Sequence, residues 1–415
     1  MGNPHDVAAH ETVDLGNRRV GTLYKPADGV PVSPVAVVTN YVALMQGMEL
    51  AKRGYLTLAM PDRQNAVANP DELFRDISDA VSYMKRYPGV EKAVGLSWSG
   101  GCTTLSAYQA IAEHGVAVFK TDGMLIPCSD IGELTPADGV IFLDSNWGNG
   151  AMTLFSLDPA VPETGGLPLD PELDMYNPAN GFDPNGSRYG DDFIRKFQKA
   201  QAGRMNRLID RALERVAAID AGKGHYIDDE PLVIPGGAQF APYNKLFPHD
   251  VRLLSHTKEA YALLHADGTE TREVIHTARL PRGGRNASGY YKQTARVTSV
   301  KDFLKTCAIR AAAEFSYSQD AVTGLEWDTC YTCTTGNVKR VSCPALVMGM
   351  TGNYEFLAAE EIYRRLASAD KTIAFVEGAN HDFTPNKAAE KTQGQFGDTV
   401  KTVFDYVDRW LRGRG

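Results

Sequence analysis

The stretch Lys92-Ala93-Val94-Gly95-Leu96-Ser97-Trp98-Ser99-Gly100-Gly101-Cys102-Thr103 decides how the chain is read. A short apolar run meets a cluster of small residues, and a helical pattern follows from Thr104 to about His114. That order predicts a strand, a very tight turn and a helix. Small residues are required on either side of such a turn, because strand and helix nearly collide there. Two serines compete for its apex. With Ser97 at the apex the flanking small residues are Gly95 and Ser99; with Ser99 they are Ser97 and Gly101. The Ser99 register lets Ala93 to Leu96 complete the strand. It also puts Gly100-Gly101 directly after the apex, where a backbone N–H can face an anion without a side chain in the way. Ser99 is therefore preferred and Ser97 is the alternative.

Outward from this stretch, apolar runs alternate with helical patterns. Pro34 to Thr39, Tyr55 to Met60 and Gly139 to Leu143 read as buried strands, ending at Asn40-Tyr41, Pro61-Asp62-Arg63 and Asp144. Thr12 to Leu15 and Arg19 to Tyr24 alternate as two early antiparallel strands. Between Pro70 and Arg86, Leu73, Ile77, Ala80, Val81 and Met84 share one helical face. Strands alternating with helices argue for a parallel sheet covered on both faces, with ligands at the carboxyl ends of the strands. The pattern resumes with a strand at Pro344 to Gly349, a helix near Ala358 to Ala367, a strand at Thr372 to Val376 and a terminal helix from about Asp398 to Leu411. The expected organisation is a first half of the core at 1–144, a large, mainly helical insertion at 145–340 and a second half at 341–415. Within the insertion, helices are expected from Asp191 to about Ala218 and from Lys301 to Phe315.

Composition narrows the function classes. The 415 residues carry 43 basic and 51 acidic side chains, a formal net charge of -8, with no basic block suited to nucleic acid. No run of apolar residues is long enough to span a membrane. Residues 1–30 show no basic start followed by an apolar stretch, so a cytoplasmic protein is expected. The expected partner is a small-molecule substrate, with no nucleic acid, no membrane, and a homodimer left open. Cys330-Tyr331-Thr332-Cys333 is a lone C-x-x-C without the second pair a zinc ribbon needs, so packed, reduced thiols are expected and no metal or cofactor is invoked.

Acyl transfer by a serine needs a base, an acid that holds the base in one tautomer, and backbone donors for the oxyanion. Of the nine histidines, only His381 follows the last strand, in the small-residue loop Gly378-Ala379-Asn380-His381. The acid is expected after the strand Pro344 to Gly349, where Met350-Thr351-Gly352-Asn353-Tyr354-Glu355 offers Glu355; Asn353 is no carboxylate. Asp144 at the tip of the preceding sheet strand is the alternative, and Asp382 is badly placed beside the histidine it would have to face. The oxyanion donors would be the N–H groups of Gly100 and Tyr41.

Taken together these residues resemble the α/β-hydrolases, whose nucleophile elbow is usually written G-x-S-x-G and whose triad runs serine, acid, histidine. The resemblance covers residues of about 30–150 and 340–411. It is closer to loosely described bacterial and fungal members with an elbow of type G-N-S-G-G-G followed by Tyr-Gln. Here that reads Ser97-Trp98-Ser99-Gly100-Gly101-Cys102, then Tyr108-Gln109, with Ser97 departing from the first glycine. Ala137 to Leu143, Leu157-Asp158-Pro159, Leu173 to Pro178 and Phe375 to His381 are further echoes. The resemblance implies an α/β-hydrolase fold and a serine hydrolase cleaving a carboxylic ester or lactone of small to medium, apolar or aromatic character. Tyr176, Phe182, Tyr189, Phe193, Tyr226, Phe240, Tyr243, Tyr290 and Tyr291 are aromatics of the insertion available to a pocket. Carbon–carbon hydrolysis, lyase or acyltransferase chemistry, or non-catalytic binding, are the alternatives the same fold allows.

Overall fold

The computed structural model describes residues 9–16, 18–41, 44–61, 70–165, 168–238, 245–281 and 295–415. Fourteen strands are numbered in chain order. β1 (Ala9–Gly16), β2 (Arg19–Lys25), β3 (Val35–Thr39), β4 (Thr57–Ala59), β5 (Lys92–Trp98) and β6 (Gly139–Leu143) come from the first part of the chain. β7 (Pro231–Pro235), β8 (His256–Leu264), β9 (Glu270–His276), β10 (Ala295–Ser299), β11 (Ala311–Tyr317) and β12 (Val322–Leu325) follow, and β13 (Ala345–Met350) and β14 (Lys371–Val376) close the series. Ten of them form one sheet in the order β1-β2-β4-β3-β5-β6-β13-β14-β8-β9. Pairing is antiparallel at the two ends and parallel from β4 through β8.

The parallel strands are apolar along their length because both faces are covered. In β3 the alternation of side chains splits the core. The first helix, α1 (Leu44–Ala51), follows β3, and Ala36 and Val38 join Phe74, Ile77, Val81 and Met84 of α2 (Pro70–Lys85) and Leu105 and Ile111 of α3 (Gly101–His114) on one face. Val35 and Val37 join Val403, Phe404, Val407 and Leu411 of the terminal helix Thr399–Arg412 on the other. β5, β6, β13 and β14 divide in the same way: Val94, Ile141, Leu346 and Ala374 lie on the second face, and Ala93, Val140, Val347 and Phe375 on the first. Burying one such valine or leucine side chain stabilises the fold by about 1.5–3 kcal/mol.

Two expectations need correction. The segment 145–340 is not a body apart from the sheet. Its β8 pairs in parallel with β14 and its β9 pairs with β8, so the insertion extends the core sheet by two strands. It also carries the ribbons β7–β10 and β11–β12. The helix from Asp191 is present as Asp191–Asp220. The helix expected over 301–315 stops early: a helical turn at Val300–Asp302 and a π-helical turn at Phe303–Cys307 give way to strand β11. Ala311 to Phe315 has a helix-compatible pattern, but pairing with β12 and packing on the long helix decide its state.

Among the described residues no helix is long and apolar enough to cross a membrane. All six cysteines are free thiols, five of them buried, and the sulfurs of Cys330 and Cys333 lie 3.1 Å apart.

Candidate active site

The two serines of the opening stretch have different surroundings. Ser97 is the penultimate residue of β5, fully buried, and its hydroxyl has no hydrogen-bond partner. Ser99 follows the strand with φ 53°, in the left-handed region that costs a non-glycine residue strain. The turn closes by Ser99 N–H donating to Leu143 O of β6 at 3.1 Å. Gly101 opens α3, and a Cβ there would run into Ser97 Oγ and the side chain of Tyr41. Small residues at 97 and 101 are thus what lets strand, helix and the β3 loop meet.

His381 lies in the loop after β14. Its Nε2 is 2.8 Å from Ser99 Oγ, and its Nδ1 is 2.7 Å from Asp144 Oδ2. A carboxylate oxygen accepts, so Nδ1 carries the hydrogen and Nε2 is left to accept from the serine hydroxyl. Trp98 holds the loop from below: its indole N–H donates to His381 O at 2.8 Å, and the two rings lie 4.8 Å apart.

Asp144 follows β6 with φ 41° and is buried. Its Oδ1 accepts from Met350 N–H at 2.9 Å and its Oδ2 accepts from the Asn353 amide at 2.8 Å. Glu355, also buried, comes to 3.3 Å from His381 Nδ1. The order of preference read from the sequence, Glu355 before Asp144, is therefore reversed by distance. The physical reason is reach: β6 and β13 are adjacent parallel strands, and Asp144 leaves its strand already facing the ring.

Burial alone would push the His381 pKa down, but the charge of Glu355 and the hydrogen bond and charge of Asp144 outweigh it and raise it to about 9. Burial pushes the Glu355 carboxyl up from its ordinary range, with Asp144 adding to the rise and His381 and Lys245 opposing it. Asp144, Glu355 and His381 are also the group of ligand-type side chains, among the described residues, whose donor atoms lie within 4.8 Å of one another. His381 Nε2 faces Ser99 and Nδ1 faces Asp144, so both ring nitrogens already have partners.

A cavity of about 560 Å³ opens above Ser99. The sheet side contributes Tyr41, Trp98, Gly100 and Thr103; the insertion contributes Asn146, Asn149, Lys245, Arg296, Thr306 and Thr332, among others. Tyr41 and Gly100, the residues expected to supply oxyanion donors, both line it beside Ser99. Asn40, next to Tyr41, instead turns its amide to Gly101 O at 3.4 Å and ties the β3 loop to the elbow helix. The wall is thus of mixed polarity. Tyr176, Phe182, Tyr189 and Phe193 do not line it; they pack on one another and on His249 and Phe197 inside the insertion. Tyr226 is exposed, and Phe240, Tyr243, Tyr290 and Tyr291, like Asp62 and Arg63, lie outside the described residues. Sequence reasoning passed over Trp98 and Lys245 and set Asn353 aside because it is no carboxylate. Only Trp98 had a local signal, as the aromatic lodged between the two serines.

The mostly parallel sheet, the serine at a strained turn between β5 and α3, and the histidine in the loop after β14 define an α/β-hydrolase fold. No family model matches the chain, and no curated protein matches it. Solved structures resemble it over nearly its full length at low identity. The siderophore hydrolase EstB from Aspergillus fumigatus is 12% identical, with 98% of this chain and 97% of that chain covered and a TM-score of 0.44. A hypothetical protein from Pseudomonas aeruginosa is 12% identical, with 98% and 94% covered and a TM-score of 0.40. A fungal esterase from Rhizomucor miehei is 10% identical, with 98% and 82% covered and a TM-score of 0.39. The fold class rests on the sheet, elbow and histidine loop of this chain rather than on those likenesses.

Proposed function

We propose that this chain is a serine hydrolase that cleaves a carboxylic ester or lactone of small to medium size through an acyl-enzyme on Ser99. The observation that carries the reading is the continuous relay Ser99 Oγ–His381 Nε2 at 2.8 Å and His381 Nδ1–Asp144 Oδ2 at 2.7 Å, opening into the cavity. Ser99 attacks the carbonyl carbon while its proton passes to His381 Nε2. Asp144 holds the ring in the required tautomer and stabilises the imidazolium. Gly100 and Tyr41 N–H groups take the oxyanion. The leaving alkoxide collects the proton from His381, and a water activated by the same ring then frees the acid. Glu355 is a second carboxylate facing the same imidazole. Residues of the insertion that line the cavity act as a cap, and their polarity favours a substrate with hydrogen-bonding groups over a purely apolar one. A cytoplasmic location fits the free thiols.

Labelling with a fluorophosphonate tests the nucleophile. Label on Ser99, lost in Ser99→Ala and kept in Ser97→Ala, is the expected result; no label on the intact chain would turn the reading to a binding protein. Product analysis over an ester, a lactone and a β-diketone separates ester hydrolysis from carbon–carbon cleavage on the same serine.

A further inference from the structure

The end of β13 is built more elaborately than a strand-to-helix turn requires. Asn353 N–H donates to Met350 O at 3.0 Å, which folds the chain back at once. Gly352 N–H donates to Ala379 O at 2.8 Å, and Gly378 N–H donates to Thr351 Oγ1 at 2.8 Å, so this turn is stitched to the loop that carries His381. A Cβ on Gly352 would lie 2.7 Å from Ala379 O, which explains the glycine at that crossing. The stitched turn delivers one side chain, Asn353, into the space between the two carboxylates. Its amide nitrogen is 2.8 Å from Asp144 Oδ2, 3.4 Å from Glu355 Oε2 and 3.0 Å from His381 Nδ1.

Chemistry fixes which of these approaches are bonds. An amide nitrogen has two hydrogens and no acceptor, and Nδ1 already carries the hydrogen given to Asp144. The approach to Nδ1 is a packing contact, and the two amide hydrogens go one to each carboxylate. The opposite amide orientation would set a carbonyl oxygen against both acids. Asn353 is buried, so losing its donor there leaves buried carboxylate oxygens short of a partner.

We propose that Asn353 is a positioning residue that clamps Asp144 and Glu355 to either side of one amide, so that two carboxylates share one imidazole and Asp144 keeps the ring. The inference rests on the relay reading given under Proposed function. Two acids this close to one another and to His381 repel each other and compete for the Nδ1 hydrogen. The amide partly neutralises both and sets their order of approach, 2.7 Å for Asp144 and 3.3 Å for Glu355. An aspartate at 353 would make a third carboxylate; the asparagine supplies the donor that two carboxylates need.

The charged and titratable groups around His381 bound the expected effect. They are Asp144 from the β6 end, Glu355 from the turn after β13 and Asp382 from its own loop. Lys245 of the insertion acts on Glu355, and the neutral thiol of Cys102 in α3 lies near both acids. Removing the amide leaves both carboxylates less neutralised, so each holds a proton on the imidazole more strongly. The acid limb of kcat/KM then moves to higher pH.

The test compares Asn353→Leu, which has similar size and no donor, with Asn353→Asp and Asn353→Gln, each also in a Glu355→Gln background. Asn353→Leu is expected to move the acid limb up by about half a unit to one unit, and Asn353→Asp further. Asn353→Gln, which keeps an amide, should restore part of the shift. In the Glu355→Gln background the Asn353→Leu shift should shrink, because one of the two carboxylates no longer needs the clamp. A second readout needs no turnover: the downfield proton resonance of His381 Nδ1 in Ser99→Ala, whose titration midpoint should move the same way. An unmoved limb and resonance in Asn353→Leu, or an equal shift with and without Glu355, would overturn the proposal. If Ser99→Ala and His381→Ala leave activity intact, the relay reading fails instead, and the two failures are told apart.

Discussion

Asp144 and Glu355 approach the same imidazole from adjacent strand ends in opposite ways. Asp144 is the first residue after β6; it reaches the ring directly, at the cost of a left-handed backbone, and its two oxygens accept three donors. Glu355 stands at the far side of a five-residue turn after β13, at the start of the helix Phe356–Arg365, and its carboxylate stops 3.3 Å from Nδ1. One site spends backbone strain on a short reach; the other spends chain length and gains only a second place. A strained residue at a reactive site persists only where its neighbours over-determine it. Met350 N–H and Asn353 do that for Asp144, whereas Glu355 has the longer 3.4 Å bond from Asn353, His381 at 3.3 Å and the charge of Lys245.

The comparison is broken or sharpened by substitution, in descending order of effect. Ser99→Ala and His381→Ala remove the groups that both acids serve, and each should lower kcat/KM by roughly a thousand-fold or more. Asp144→Asn should cost about a hundred-fold to ten-thousand-fold, since it spoils the tautomer while leaving the shape. Glu355→Gln should cost no more than about ten-fold at the pH optimum. Steady-state kinetics on one ester decide between the two acids; a Glu355→Gln loss as large as that of Asp144→Asn would restore the order read from the sequence.

The pH profile separates them further. His381 must be neutral to act as the base, and its pKa is raised to about 9. kcat/KM should therefore climb with pH up to about 9 in the unmodified chain. Glu355→Gln removes a charge that holds the imidazolium, so its acid limb should move to lower pH. A limb that stays in place would show that Glu355 does not act on the ring. The smallest effect is expected at Ser97→Ala. It deletes a buried hydroxyl with no partner, so thermal stability should be unchanged or rise by about 1 kcal/mol, with labelling at Ser99 intact.

Much of this architecture was legible in the chain. Gly139 to Leu143 was read to the residue, and the strand at Pro344 to Gly349 was off by one. Continuous apolar runs between turn residues leave little choice when both faces of a sheet are covered. The elbow was legible for the same kind of reason: close approach of strand and helix excludes all but small residues, and those are visible in Ser97, Gly100 and Gly101, while His381 was legible as the one histidine that follows the last strand. The extension of the sheet by β8 and β9 was not. Both are partly exposed, β9 at the edge of the sheet and β8 beside it, and their sequence says nothing about which partner they will pair with.

Local sequence by itself determined where Ser99 and His381 stand, because steric crowding at a turn and the end of a strand are properties of a few consecutive residues. It did not determine which carboxylate stands nearer the ring. Asp144 and Glu355 are 211 positions apart in the chain, and their distances to the ring depend on the pairing of β6 with β13 and on one amide placed between them. Those are distances of tenths of an ångström, and only the packed tertiary structure decides them.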